Sequence, residues 1–237
     1  MDAIPMLSKD RKTLAFSSEQ WCAAWCASSI SVELYVSGLD GSNAKRLTTG
    51  MTPVYGKSFS PDGQSLVFES AGGSVYASDL RLYVIRADGT GMVRITNELS
   101  RLPDWSPDAT RIAYCAADGI VTIRPDGGDR RVLLPLPYSW PFTCYQPRWS
   151  PDGRRIAYST IDGRLWVMNA DGSGAVQILD GTGYDSGGGV TWSPDGQWLA
   201  FQSTQSGSLN IWVVRPDGTG ARNVTNLTSG FATGAAW

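Results

Sequence analysis

Short runs in which apolar and polar positions alternate recur along this chain at near-constant spacing. TLAFSS (13–18), SLVFES (65–70), RIAYCA (111–116), RIAYST (155–160) and WLAFQS (198–203) have the period-two pattern of a half-buried β-strand. A second alternating run follows each one and ends in Asp-Gly: ELYVSGLDG, RLYVIRADG, IVTIRPDG, RLWVMNADG and NIWVVRPDG. Asp-Gly between two such runs is a strong hairpin signal, and the strand it leads into is KRLT, VRIT, RVLL, VQIL or RNVT. Ahead of these runs stand segments that close on an aromatic (YGKSF, RLPDW, YQPRW, GGVTW, and TGAAW at the end). Between that aromatic and the next run lies Ser-Pro-Asp-Gly (Ser-Pro-Asp-Ala at 106–109), where Pro suits the second position of a tight turn and Gly supplies positive φ.

The serines of this turn, Ser60, Ser106, Ser150 and Ser193, are 46, 44 and 43 residues apart, and a decayed copy, SKDR, begins at Ser8. Four short antiparallel strands every ~45 residues are what a β-propeller blade requires. The pattern predicts an all-β chain, a single β-propeller of five four-stranded blades at about 1–48, 53–96, 101–134, 145–179 and 188–225. A twisted sheet buries its faces by stacking on its neighbours. A large aromatic at one fixed register fills the wedge between them, so Phe59, Trp105, Trp149, Trp192 and Trp237 read as packing residues. At the seam, IPML (4–7) and GFATGAAW (230–237) compete for the first strand of the first blade. The expectation is that the C-terminal strand takes it and closes the ring, removing exposed edges; the rival is an assembly completed by another chain.

Copies such as WSPDGRRIAYSTIDGRLWVMNADGSG resemble the WD-repeat-like propeller repeats of the TolB family, which recur in prolyl oligopeptidase-type enzymes and many bacterial surface proteins. The resemblance covers essentially the whole chain. It implies a propeller fold and, by analogy with TolB and its peptidoglycan-associated lipoprotein, a protein partner. The TolB family has six blades behind a small α/β domain; five units are counted here.

Propeller topology sends the Ser-Pro-Asp-Gly and Asp-Gly turns to one end of the disc. The second-to-third-strand loops and the blade connections go to the other, which takes nearly all the length variation: 19–32, 71–80, 135–146, 180–189 and 204–208. Long loops on a rigid scaffold are where recognition resides. These segments carry Trp21, Trp25, Tyr76, Tyr138, Trp140, Phe142, Tyr145 and Tyr184, aromatics suited to protein contacts and to sugar stacking alike. They are the candidate binding residues, against the plain alternative that each packs its own loop. Cys22, Cys26, Cys115 and Cys144 gather at the same end. Disulfides Cys22–Cys26 and Cys115–Cys144 are expected, with four buried thiols as the alternative.

Composition narrows the chemistry. The chain has 42% hydrophobic and 18% charged residues, a net charge of -2 and no basic block, which argues against nucleic acid. No run approaches the roughly 20 apolar residues of a membrane-spanning helix. Histidine is absent, which removes His-based triads and His metal ligands. GKS at 56–58 lacks the upstream Gly of a phosphate loop and leads into a strand. ADGSG (170–174) lacks a calcium loop's carboxylates, and Asp185 and Ser186 have no nucleophile elbow. The sequons at Asn223 and Asn226 mark a turn after a strand. The expected function is a non-catalytic scaffold binding protein or peptide through the variable loops, with no cofactor and no metal. The alternatives are a lectin-like propeller binding carbohydrate, and an accessory propeller of a larger envelope protein or hydrolase. Bonded cysteines point to a periplasmic or extracellular setting, the alternative being the cytoplasm.

Overall fold

The computed structural model describes residues 5–20, 31–51, 53–74, 79–135, 144–160, 162–180 and 189–232, with backbone only at 19, 20, 31, 144 and 145. Its strands form five four-stranded sheets, each a meander in which neighbours in sequence are neighbours in space. The first holds β1 (Met6–Leu7), β2 (Thr13–Gln20), β3 (Ser31–Gly38) and β4 (Lys45–Arg46). The second holds β5 (Val54–Phe59), β6 (Ser65–Ser70), β7 (Arg81–Arg86) and β8 (Val93–Arg94). The third holds β9 (Ser100–Trp105), β10 (Ile112–Ala116), β11 (Gly119–Ile123) and β12 (Arg131–Pro135). The fourth holds β13 (Cys144–Trp149), β14 (Arg155–Thr160), β15 (Leu165–Asn169) and β16 (Val176–Leu179). The fifth holds β17 (Thr191–Trp192), β18 (Leu199–Ser203), β19 (Asn210–Val214) and β20 (Arg222–Asn223).

The alternation in the sequence becomes cross-strand pairing. Phe16 lies opposite Tyr35, Phe68 opposite Tyr83 and Tyr158 opposite Trp166, with ring centroids 5.6, 5.6 and 6.3 Å apart and nearly parallel planes. Such pairs are the stabilising unit of a sheet.

The first place in the first sheet differs from the expectation. Met6–Leu7 hold it, paired with Ala15 and Leu14, so the C-terminal strand does not take it. Residues 5–7 lead straight into the turn at Ser8, and closing a short hairpin orders far less chain than recruiting residues 230–237. Of that segment, 233–237 lie outside the described residues, while Phe231 forms an isolated parallel bridge with Leu209.

The chain divides into two compact units, 1–116 with 122–130 and 117–121 with 131–237. In the first, Phe59 is buried among Ala15, Leu34 and Val36 of the first sheet and Leu66, Phe68 and Ile85 of its own. In the second, Trp192 packs with Ala157, Leu165 and Val167 of the fourth sheet and Leu199, Phe201 and Val214 of its own. Its indole Nε1 also donates to the Arg148 carbonyl at 3.0 Å. Trp105 is buried and Trp149 half-buried; Trp237 lies outside the described residues. Phe59 and Trp192 thus join contact area to a fixed register.

Candidate functional site

Every sheet has one end built on a serine–aspartate turn whose hydrogen bonds repeat from copy to copy. The turn serine donates its Oγ–H to Asp Oδ1 two residues on, at 2.5–2.6 Å, in all five copies: Ser8–Asp10, Ser60–Asp62, Ser106–Asp108, Ser150–Asp152 and Ser193–Asp195. The same Oγ accepts the N–H of the residue that opens the next strand at 2.9 Å, from Thr13, Ser65, Arg111, Arg155 and Trp198. The decayed first copy therefore keeps the full geometry, with Arg11 at φ 57° and, in the third copy, Ala109 at φ 60° where the other three place Gly. In the Asp-Gly turns, Asp88, Asp171 and Asp217 accept from both the N–H and the hydroxyl of a Thr or Ser two residues on. Their Oδ1 atoms are committed to the turn.

At the opposite end, polar side chains fasten the outgoing connections. Thr48 accepts the Leu34 N–H and donates to the buried Glu33 carboxylate at 2.5 Å, which also accepts the Gly50 N–H at 2.6 Å. Asn210 fills the corresponding place in the fifth sheet, accepting from the Thr225 hydroxyl and the Leu227 N–H at 2.7 and 2.6 Å. Asn223 Oδ1 accepts the N–H groups of Thr225 and Asn226, so the Asn-Val-Thr sequon is used as turn chemistry.

The same end contains a buried charged constellation that the sequence reading missed. Glu69, on β6, is 1% exposed. Its Oε2 lies 3.4 Å from both Arg101 Nε and the Leu102 N–H of β9, and it also accepts from the Gly56 N–H of β5. A Cβ at Gly56 would stand 2.7 Å from Oε1, so a side chain there would displace the carboxylate. Gly56 and Leu102 are both extra residues in bulged first strands, where pairing skips from Tyr55 to Lys57 and from Arg101 to Asp104. Gln146 holds the corresponding place in β13, with φ 45°. Burial pushes the Glu69 acid up to about 7 despite the attraction of Arg101. Burial pushes the Lys57 ammonium down to about 8 against the pull of Glu69; Lys57 Nζ donates to Ser17 Oγ at 3.4 Å. One signal was available: a Glu inside the apolar run SLVFES, where the other units have Ser17, Cys115, Ser159 and Gln202.

Of the proposed binding aromatics, Trp21, Trp25, Tyr76, Tyr138, Trp140, Phe142 and Tyr184 lie outside the described residues. Tyr145 is described by its backbone alone, paired with Ser159. Cys115 is wholly buried in β10; Cys22, Cys26 and the Cys144 side chain lie outside the described residues.

Five four-stranded meanders built on one turn chemistry define a β-propeller repeat protein. More narrowly, the chain belongs to the TolB beta propeller domain family, which matches residues 74–236. It is similar to an uncharacterised protein of Agrobacterium fabrum, 32% identical over 66 residues, covering 28% of this chain and 22% of that protein. Among solved structures, TolB from Acinetobacter baumannii superposes with a TM-score of 0.69 at 19% identity, over 92% of this chain and 53% of that one. A putative TolB from Agrobacterium tumefaciens gives 0.68 at 22% identity, over 92% and 78%. The chain thus spans about half the length of the Acinetobacter TolB and about a fifth of the Agrobacterium fabrum relative.

Proposed function

We propose that this chain is a non-catalytic scaffold that binds a protein or peptide through the loops at the irregular end of its sheets. The observation that carries this reading is where length varies. Between first and second strands the chain always uses five or six residues, and between third and fourth six or seven. Between second and third strands it uses ten, ten, two, four and six. The turn end is uniform and internally satisfied, whereas the loop end differs from sheet to sheet and holds the aromatic-rich segments. Membership of the TolB family supports a protein partner and an extracytoplasmic setting.

The test is affinity capture from the extract of the source cell, comparing the native chain with a Tyr138→Ala, Trp140→Ala variant. Removing two aromatic anchors should lower recovery of the specific partner about tenfold or more. Equal recovery by both proteins would reject this face. Competition by free sugar would transfer it to a carbohydrate ligand.

A further inference from the structure

Four of the five Asp-Gly turns that join third to fourth strands rest on the outer strand of the sheet before. A Cβ at Gly89 would meet Lys45 and Leu47 at 3.5 and 3.6 Å, one at Gly127 the Ile95 carbonyl at 3.1 Å, and one at Gly218 the Ile178 carbonyl at 2.9 Å. Gly172 lies closer still, on Leu133. Where the seat is Leu47, Ile95 or Ile178, that side chain is only 5–9% exposed. One turn and one seat are left over. A Cβ at Gly41 would have nothing within 4 Å, and Leu39 beside it is exposed. Val224, just past β20, holds the place of Leu47 and Ile95: its N–H donates to the Ile211 carbonyl as theirs donate to Leu34 and Leu82. Yet Val224 is 52% exposed. We propose that the spare turn and the spare seat meet between molecules: the turn at Leu39 to Gly41 of one chain docks on Arg222 and Val224 of a second copy, joining the two head to tail.

The two halves have the form of the junctions already made inside the chain, which is why the occupant is a second copy. The apolar face behind the spare turn is open as well. Leu7 stands directly before its turn serine, as Phe59, Trp105 and Trp192 do, and is 47% exposed against their 7–8%. Leu14 and Phe16 are half-buried, whereas their counterparts Leu66 and Phe68 are sealed. Open apolar faces of this kind mark association surfaces. Charge agrees with the pairing. At the first seat, Lys45 Nζ donates to the carbonyl of Asp88 in the turn it carries. Arg222 holds the same place in the fifth sheet, opposite Val213 as Lys45 is opposite Val36. Its guanidinium lies 5.3 Å from the Trp198 ring centroid and makes no hydrogen bond or ion pair among the described residues, so it is free to take Asp40 of the docked turn. Elsewhere in the fifth sheet Ala200 and Val213 are already buried, which leaves the outer strand to receive the neighbour. This association is independent of what the loop end binds.

Sedimentation equilibrium of the native chain over a wide concentration range tests it. The wild type should associate reversibly. Leu39→Glu spoils the turn alone and Val224→Glu the seat alone, and each should weaken self-association about thirtyfold or more. Mixed together, the two variants should form a dimer and stop there, because the intact seat of the first meets the intact turn of the second. A wild type that stays a single chain at every concentration overturns the proposal and leaves these faces to a sheet of another protein. Variants that associate as the wild type does overturn it too, as does a mixture that stays dissociated, the result a symmetric interface gives. Circular dichroism checks that both variants fold; should either fail, Leu7→Glu and Arg222→Glu replace them in the same mixing experiment.

Discussion

A single hydroxyl does two things in each turn of this protein. Ser150 Oγ donates to Asp152 at 2.5 Å and accepts the Arg155 N–H at 2.9 Å, so it positions the aspartate and opens the next strand. Replacing Ser150 with Ala leaves a partly buried amide without its side-chain acceptor, and about 1–2 kcal/mol of stability should be lost, seen as a lower urea midpoint with an unchanged slope. The motif was legible because its chemistry closes within six residues. Glu69 was not, because its partners Arg101 and Leu102 are 32 and 33 residues away.

Strands and hairpins were legible at the level of the element, since alternation and Asp-Gly are local. The bulges were not. Two residues opposing one depends on the partner strand, and in two of the three bulged first strands described the extra residue is Leu102 or Gln146 rather than the glycine that would announce it. The hairpin between β15 and β16 gives a sharp test. Gly172 has φ 88°, and a Cβ there would collide with the backbone carbonyl of Leu133, whereas Gly41 in the matching turn has φ 78° and open space. Gly41→Ala should cost about 1–2 kcal/mol, the left-handed backbone penalty alone. Gly172→Ala should cost clearly more, because backbone must move. Thermal melts of the two variants side by side make the comparison, and equal losses would contradict the close approach.

Across the molecule, repetition turns small effects into a common pH response. Eleven turn aspartates, from Asp10 to Asp217, are held below their ordinary value of 3.8, in ten of them first by a Ser or Thr hydroxyl and at Asp126 by the Gly128 N–H. Groups shifted downward add stability that is complete above the ordinary value and fades as pH falls through the folded ones. Glu69 acts oppositely: its contribution is complete below 4.5 and is lost as pH rises through about 7. The melting temperature should therefore pass through a maximum near pH 5, fall steeply below about pH 4, and decline gently towards pH 8. Circular dichroism melts from pH 2.5 to 8.5 read all three limbs, and a profile that is flat below pH 4 would refute the shared turn chemistry. The fold could be read at this scale because five copies corroborate one another. The binding residues could not, because loops of ten, ten, two, four and six residues share no pattern to average.

The self-contained turns carry a consequence for ancestry. Because each Ser–Asp pair answers only to its own hairpin, a unit can be copied, lost or spliced beside a different neighbour without redesign of its corner. Diversification is then free to act on the far loops alone, and lineages sharing this corner can part company in what they hold.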